Sequence, residues 1–174
     1  GNFKLLFFKI LKLLRYLITI FPLYILALPV VIFFRLIRPI MLVRFVKIRS
    51  DVIGNSVFDL EYYMSKREIK KEITNDIYYF SSKIICNSQL ELMVRRNFKV
   101  FSFVRYLDQI NHLLPGGNDH IVRMVSEVTG SRDVYGILYR TKPHLSFTRD
   151  ENARGHNFLK QLGMMYGEEF NCLI

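Results

Sequence analysis

Ile40-Met-Leu-Val-Arg-Phe-Val-Lys-Ile48 runs straight into Arg49-Ser50-Asp51-Val52-Ile53-Gly54-Asn55-Ser56, a junction of an apolar run with a polar one. The first part is apolar and β-branched with interspersed charges, which predicts a strand over 40–48. The second is a polar loop whose Asn55 or Ser56 can cap a helix continuing to about residue 73. A strand feeding a helix through a short loop is the unit that builds parallel sheets.

The unit recurs downstream. Residues 76–80 predict a second strand, a helix follows from Asn87 or Ser88 to Arg96, and 98–103 predict a third strand. Residues 104–128 look helical at both ends and are interrupted at Pro115-Gly116-Gly117-Asn118. Residues 135–139 fit a short strand or a helical turn. Thr148 and Glu151 form a capping box for a last helix, and Gly163 suits its left-handed terminus. Residues 169–174 read as the start of another strand. The fold class is therefore α/β: a Rossmann-like parallel sheet with flanking helices, preceded by amphipathic and hydrophobic helices.

Upstream of the junction the chain changes character. Its formal charge is +10, with 25 basic and 15 acidic residues. Nine of the basic residues lie at or before Arg49 and no acid precedes Asp51, so the remainder carries 16 basic against 15 acidic residues. A basic leader on a nearly neutral domain points to anionic lipid and away from nucleic acid. From Tyr16 to Phe34 there are 19 residues without a charge, enough for a helix of roughly 28 Å. Phe21 and Phe33 lie in that run, Pro22 and Pro29 disfavour a straight crossing, and Arg15, Arg35 and Arg38 flank it. Lys4, Lys9, Lys12 and Arg15 fall within about 140° of helix surface, opposite Leu5, Leu6, Phe7, Ile10 and Leu13. Positive charge on both flanks fits a segment lying in the membrane as well as one crossing it. Residues 1–38 are expected to attach the chain to membrane lipid.

The loop 49–55 lies at the carboxyl end of the first strand, where ligands gather in parallel sheets. Asp51 can act as a general base there, and Arg44, Arg49 and the helix amides suit an anionic group. The bland alternative makes Asp51 a turn residue and leaves the arginines to solvent or headgroups. Walker A, G-x-G-x-x-G, H-E-x-x-H, G-x-S-x-G and Asp-x-Asp signatures are all missing. His112, His120, His144 and His156 are read as surface or capping histidines, and Arg132-Asp133 as an exposed turn pair. Cys86 and Cys172 sit in apolar settings and read as reduced, buried thiols.

With these residues in view, the chain from about residue 36 onward resembles a family of bacterial glycosyltransferases linked to surface-polysaccharide and lipopolysaccharide assembly. The resemblance rests on Val43-Arg44, Arg49-Ser50-Asp51-x-Ile53-Gly54-Asn55 and Glu61-Tyr62. It extends through Asp76-Ile77-x-x-Phe80, Cys86-Asn87-x-Gln89-Leu90 and Arg132-Asp133-x-x-Gly136. Phe147-Thr148-x-x-Glu151-x-x-Arg154-Gly155 and Leu162-Gly163 complete it. It implies a metal-independent GT-B architecture without a cofactor, in which residues 39–168 form the acceptor-side domain. Residues 169–174 would begin the donor-binding domain, at about Phe170, whose remainder the chain lacks; by this reading the 174 residues alone are inactive. A nucleotide sugar is then the donor and a glycan or lipid-linked molecule the acceptor. The resemblance to heptosyltransferases implies Asp51 as catalytic base, with Arg44, Arg49, Ser50, Gly54 and Asn55 around acceptor or phosphate. It also implies the cytoplasmic face of the bacterial inner membrane. The rival expectation is a non-catalytic membrane-docked binding or scaffolding module.

Overall fold

The computed structural model describes residues 2–164 and 167. Two compact units are present, one ending at His144 and one beginning at Leu145. In the first, α1 (Asn2–Thr19) passes through a turn at Ile20 into α2 (Phe21–Leu36). The apolar helical stretch Lys4–Leu36 counts 33 residues. Pro22 sits in the first turn of α2, where its missing N–H removes no helical bond, while Pro29 lies inside the helix.

After a turn, β1 (Val43–Ile48) leads to α3 (Ile53–Lys70), β2 (Asn75–Phe80), α4 (Ser88–Asn97) and α5 (Val104–Leu113). The 3-10 turn Asn118–His120, α6 (Val125–Thr129) and a second 3-10 turn, Leu138–Arg140, complete the unit. In the second unit α7 (Arg149–Gln161) carries the Thr148–Glu151 capping box in both directions, and Gly163 follows with φ +86°. The strand expected at 169–174, the expected donor-domain start at Phe170 and the thiol of Cys172 lie outside the described residues.

β1 and β2 pair in parallel, Val43 opposite Asn75 through Ile48 opposite Phe80. Isolated parallel bridges extend this pair on both sides, Tyr78 to Val100 and Phe45 to Ile121. The lateral order is thus Val100, β2, β1, Ile121, and the direction of addition reverses at β1. Strand pleating divides the pair into two faces. Val43, Phe45 and Tyr79 form one buried cluster with Ala27 and Val31 of α2 and with Val104 and Leu107 of α5. On the opposite face Tyr63 of α3 donates to Asp76 of β2 at 2.7 Å.

The first and third strands are shorter than their sequence signals, whereas β2 gains one residue on the expected 76–80. Ile40 is 91% exposed because residues 37–40 form the turn that reverses the chain after α2, and pairing begins only with Asn75 N–H to Leu42 O at 2.9 Å. The third predicted strand contracts to the bridge at Val100, since residues 102 and 103 already turn into α5. α3 starts at Ile53 after Val52, with no side-chain cap, so Asn55 and Ser56 lie inside the helix. It ends at Lys70, where Lys71 adopts φ +51°. Asn87 caps α4 as its sequence implies, accepting from Leu90 N–H at 2.9 Å.

Candidate functional site

The loop between β1 and α3 is held from below. Ser50 is buried, accepts Cys86 N–H on its carbonyl at 2.9 Å and donates its hydroxyl to Ser82 O at 3.2 Å. Ser56 donates its hydroxyl to Arg49 O. These bonds use the polar atoms of Ser50 and Ser56 structurally and tie the loop to residues 81–86. Above them Asp51 is left open: its side chain is 42% exposed, and Arg49 Nε stands 3.8 Å from Oδ1. Gly54 lies in the first turn of α3, and a Cβ built there meets no atom within 4 Å. Asn55 is half-buried. Asp51, Arg49 and the uncapped N-terminus of α3 thus share one accessible corner, a setting that attracts anions and can orient a hydroxyl.

Arg44 is elsewhere. It lies near the amino end of β1 and gives Nε to Asp76 at 3.0 Å, Nη1 to Glu72 at 2.8 Å and Nη2 to the Thr74 hydroxyl at 2.8 Å. Asp76 also receives Arg67 Nη1 at 2.7 Å, and the hydroxyls of Tyr63 and Thr74 at 2.7 and 3.0 Å. Burial, followed by the Asp76 charge, pushes the Tyr63 hydroxyl above its ordinary range. The sequence places Arg44 beside the loop; the structure uses it to neutralise a buried carboxylate.

Cys86 also departs from its sequence reading. It is an exposed thiol, because the loop that presents it packs through its backbone against Ser50. His120, read as a surface or capping residue, is buried, and its Nδ1–H donates to Val43 O at 2.6 Å. Asp133 caps the turn after it, accepting Ile137 and Leu138 N–H at 2.8 and 2.9 Å. Among the described residues no group of three or more His, Cys, Asp or Glu could hold a metal ion.

The leader is half docked. One face of α2 packs on α5 through Ala27 and Val31. Tyr24 OH donates to Gln109 Oε1 at 2.6 Å, and Arg38 pairs with Asp119 at 2.6 Å. Arg35 gives Nη1 to Pro115 O at 2.7 Å, and Nη2 to Asn111 O and Oδ1 at 2.9 and 2.8 Å. The remaining surface of α2, including Phe21, Ile25, Ile32, Phe33 and Leu36, is exposed and apolar. So are Leu5, Leu6, Phe7, Ile10 and Leu13 of α1, beside the exposed Lys4, Lys9, Lys12 and Arg15.

One polar group of this unit escaped the sequence reading. Asp108 lies on α5 with Val104, Leu107 and Asn111, the i, i+3, i+4, i+7 set that is buried. A carboxylate on the buried stripe of an amphipathic helix was the available signal. Tyr79 OH donates to its Oδ2 at 2.6 Å. Burial raises its pKa above the usual carboxylate range, opposed by the Tyr79 hydrogen bond, His112 and Lys47. Searches for relatives add no further constraint: no family model, no curated protein and no solved structure matches the chain.

Proposed function

We propose that this chain is the membrane-attached, acceptor-side half of a bacterial glycosyltransferase of GT-B type, working without a metal on the cytoplasmic face of the inner membrane. The observation that carries the reading is the place of Asp51. It sits at the carboxyl end of β1, the segment at which the lateral order of parallel segments reverses, and such reversals are where ligands bind in open α/β sheets. Asp51 would take the proton of an acceptor hydroxyl as that oxygen attacks the sugar carbon of a nucleotide-sugar donor. The nucleoside diphosphate would leave with the bonding electron pair. Arg49 and the amides of α3 would face the anionic group.

The leader supports a lipid-borne acceptor. An α2 that crossed the bilayer would carry α5, with Arg105, Asp108 and His112, into hydrocarbon, at a prohibitive cost. α1 carries four cations in 18 residues. Both features suit helices lying in the interface, with the apolar faces of α1 and α2 in lipid and the α/β unit in water.

The test is Asp51→Ala in the intact gene product, assayed for sugar transfer to membrane acceptors. Turnover should fall by on the order of a thousandfold or more with an unchanged melting temperature, in keeping with loss of a general base. Full activity would overturn the assignment. A second reading, a non-catalytic membrane-docked binding module, draws on the exposure of the Asp51 side chain, whose ion-pair partner among the described residues is Arg49. Intact protein that binds acceptor but never transfers sugar would favour that module.

A further inference from the structure

Away from the Asp51 loop, a cavity of about 510 Å³ opens on the α5 face of the sheet, between β1 and residues 121–124. It adjoins the point where the lateral order reverses, a preferred ligand position in α/β sheets. Its charged lining is Lys47, Arg105, Asp108, His112, Arg123 and Glu127. Arg105 is anchored by Nη2 to Phe80 O and Ser81 O at 2.8 and 3.2 Å. Lys47 and Arg123 are exposed and engage in no hydrogen bond or ion pair with the described residues. A larger cavity of about 710 Å³ beside α3 shares Arg123 and His112 with this one, and its Arg44 and Arg67 are already paired with Asp76.

Asp108 supplies the second observation. Its residue is 6% exposed, Oδ2 is taken by Tyr79, and Oδ1 is buried without a hydrogen-bond donor. A bare carboxylate oxygen in such a place is costly unless something donates to it. His112 Nε2 stands 3.6 Å from it, on a side chain that is 55% exposed, and both residues line the cavity. The lining therefore offers unpaired cations for an anion and, in Asp108, an acceptor for a hydroxyl.

We infer that this cavity binds a phosphate ester carrying free hydroxyls, a sugar phosphate or its lipid-borne equivalent. Lys47, Arg105 and Arg123 hold the phosphate, and Asp108 Oδ1 accepts from a hydroxyl. The inference stands whichever reading of Asp51 holds, because it concerns binding and no bond is made or broken.

The test uses the full chain in phosphatidylcholine nanodiscs and follows protection of Lys47 from amine acylation by peptide mass spectrometry. Glucose 1-phosphate added in solution, or phosphatidylinositol included in the disc, should protect Lys47; glucose should not. Protection by the soluble ester alone identifies a free ligand, and protection by the lipid alone a membrane-borne one; either supports the site. Arg123→Ala should raise the half-protecting concentration roughly tenfold, the usual loss for one charge-assisted hydrogen bond. Asp108→Asn should weaken glucose 1-phosphate while leaving inorganic phosphate unchanged. Arg123 is exposed, so its variant keeps the test valid should Asp108→Asn misfold. Failure of both esters to protect Lys47, or protection indifferent to Arg123→Ala, overturns the inference.

Discussion

Arg35 and Asn111 hold the leader to the domain: the guanidinium gives Nη2 to both the carbonyl and the side-chain oxygen of Asn111, at 2.9 and 2.8 Å, and Nε to that side-chain oxygen at 3.1 Å. The same guanidinium reaches Leu114 O at 3.1 Å and Pro115 O at 2.7 Å, so one residue satisfies a carbonyl in the last turn of α5 and two just beyond it. Replacing Arg35 by Ala leaves those acceptors without donors and should cost about 3 kcal/mol. Amide exchange should accelerate in α2 well before it does in β1. Uniform acceleration across the unit would show that α2 and the sheet unfold together.

Gly117 makes the clamp possible. A Cβ built at this position would lie 2.3 Å from Arg35 Nη2, 2.6 Å from Asn111 Oδ1 and 2.7 Å from the Asn111 carbonyl. One of those contacts is backbone, so the strain cannot be relieved by a rotamer change alone. Gly117→Ala should lower stability by about 1–3 kcal/mol in a denaturant titration. Gly54→Ala is the control. Its Cβ meets nothing within 4 Å, and a helical alanine gains about 0.5–1 kcal/mol over glycine.

How far these features were legible depends on whether their cause was local. Asn87, Thr148 and Gly163 act on the backbone within a few residues, and their positions follow from spacing. The extended apolar helix was equally plain. Strand lengths were not, because Ile40 is as β-branched as Ile48, and what excludes it is the turn after α2 together with the starting point of the partner strand. Arg44 was read with its neighbours in sequence, whereas its partners Glu72 and Asp76 arrive from β2 and the turn before it. Arg35 was read as a flanking membrane charge for the same reason: its acceptors lie more than 70 positions away.

Asp108 gives the fold a pH dependence whose sign is fixed by its burial. The folded carboxyl holds its proton to a higher pH than it does in the unfolded chain, since burial outweighs the Tyr79 hydrogen bond and the His112 and Lys47 charges. Between the ordinary carboxylate range and the raised value the native state binds more protons, so stability falls as pH rises through that window. Arg105, Arg123 and Glu127 line the same cavity, and the Glu127 charge acts on Tyr79, the residue that donates to Asp108. Denaturant midpoints measured across the window should decline in the parent and stay level in Asp108→Asn. Lys47→Met, which removes a charge favouring the carboxylate, should extend the decline to higher pH.

On the proposed reading, the basic stripe and the docked face of α2 together set how the leader would meet lipid. Lys4, Lys9, Lys12 and Arg15 are exposed on a helix that adjoins the apolar surface of α2, so each can contact an anionic headgroup while the leucines and phenylalanines enter the acyl boundary. Lys9→Gln and Lys12→Gln should each weaken binding to phosphatidylserine vesicles roughly fivefold at low salt. The loss should shrink as salt rises and vanish on neutral vesicles, because only the electrostatic part is removed. Topology can be read in the same preparation. Cys86 is exposed, and a second thiol introduced as Lys4→Cys reports the start of α1. In sealed vesicles an impermeant thiol reagent should modify both positions from the same side, as scored peptide by peptide. Modification from opposite sides would mean that the chain crosses between residue 4 and α2, and that the docked face of α2 begins at the inner surface of a true span.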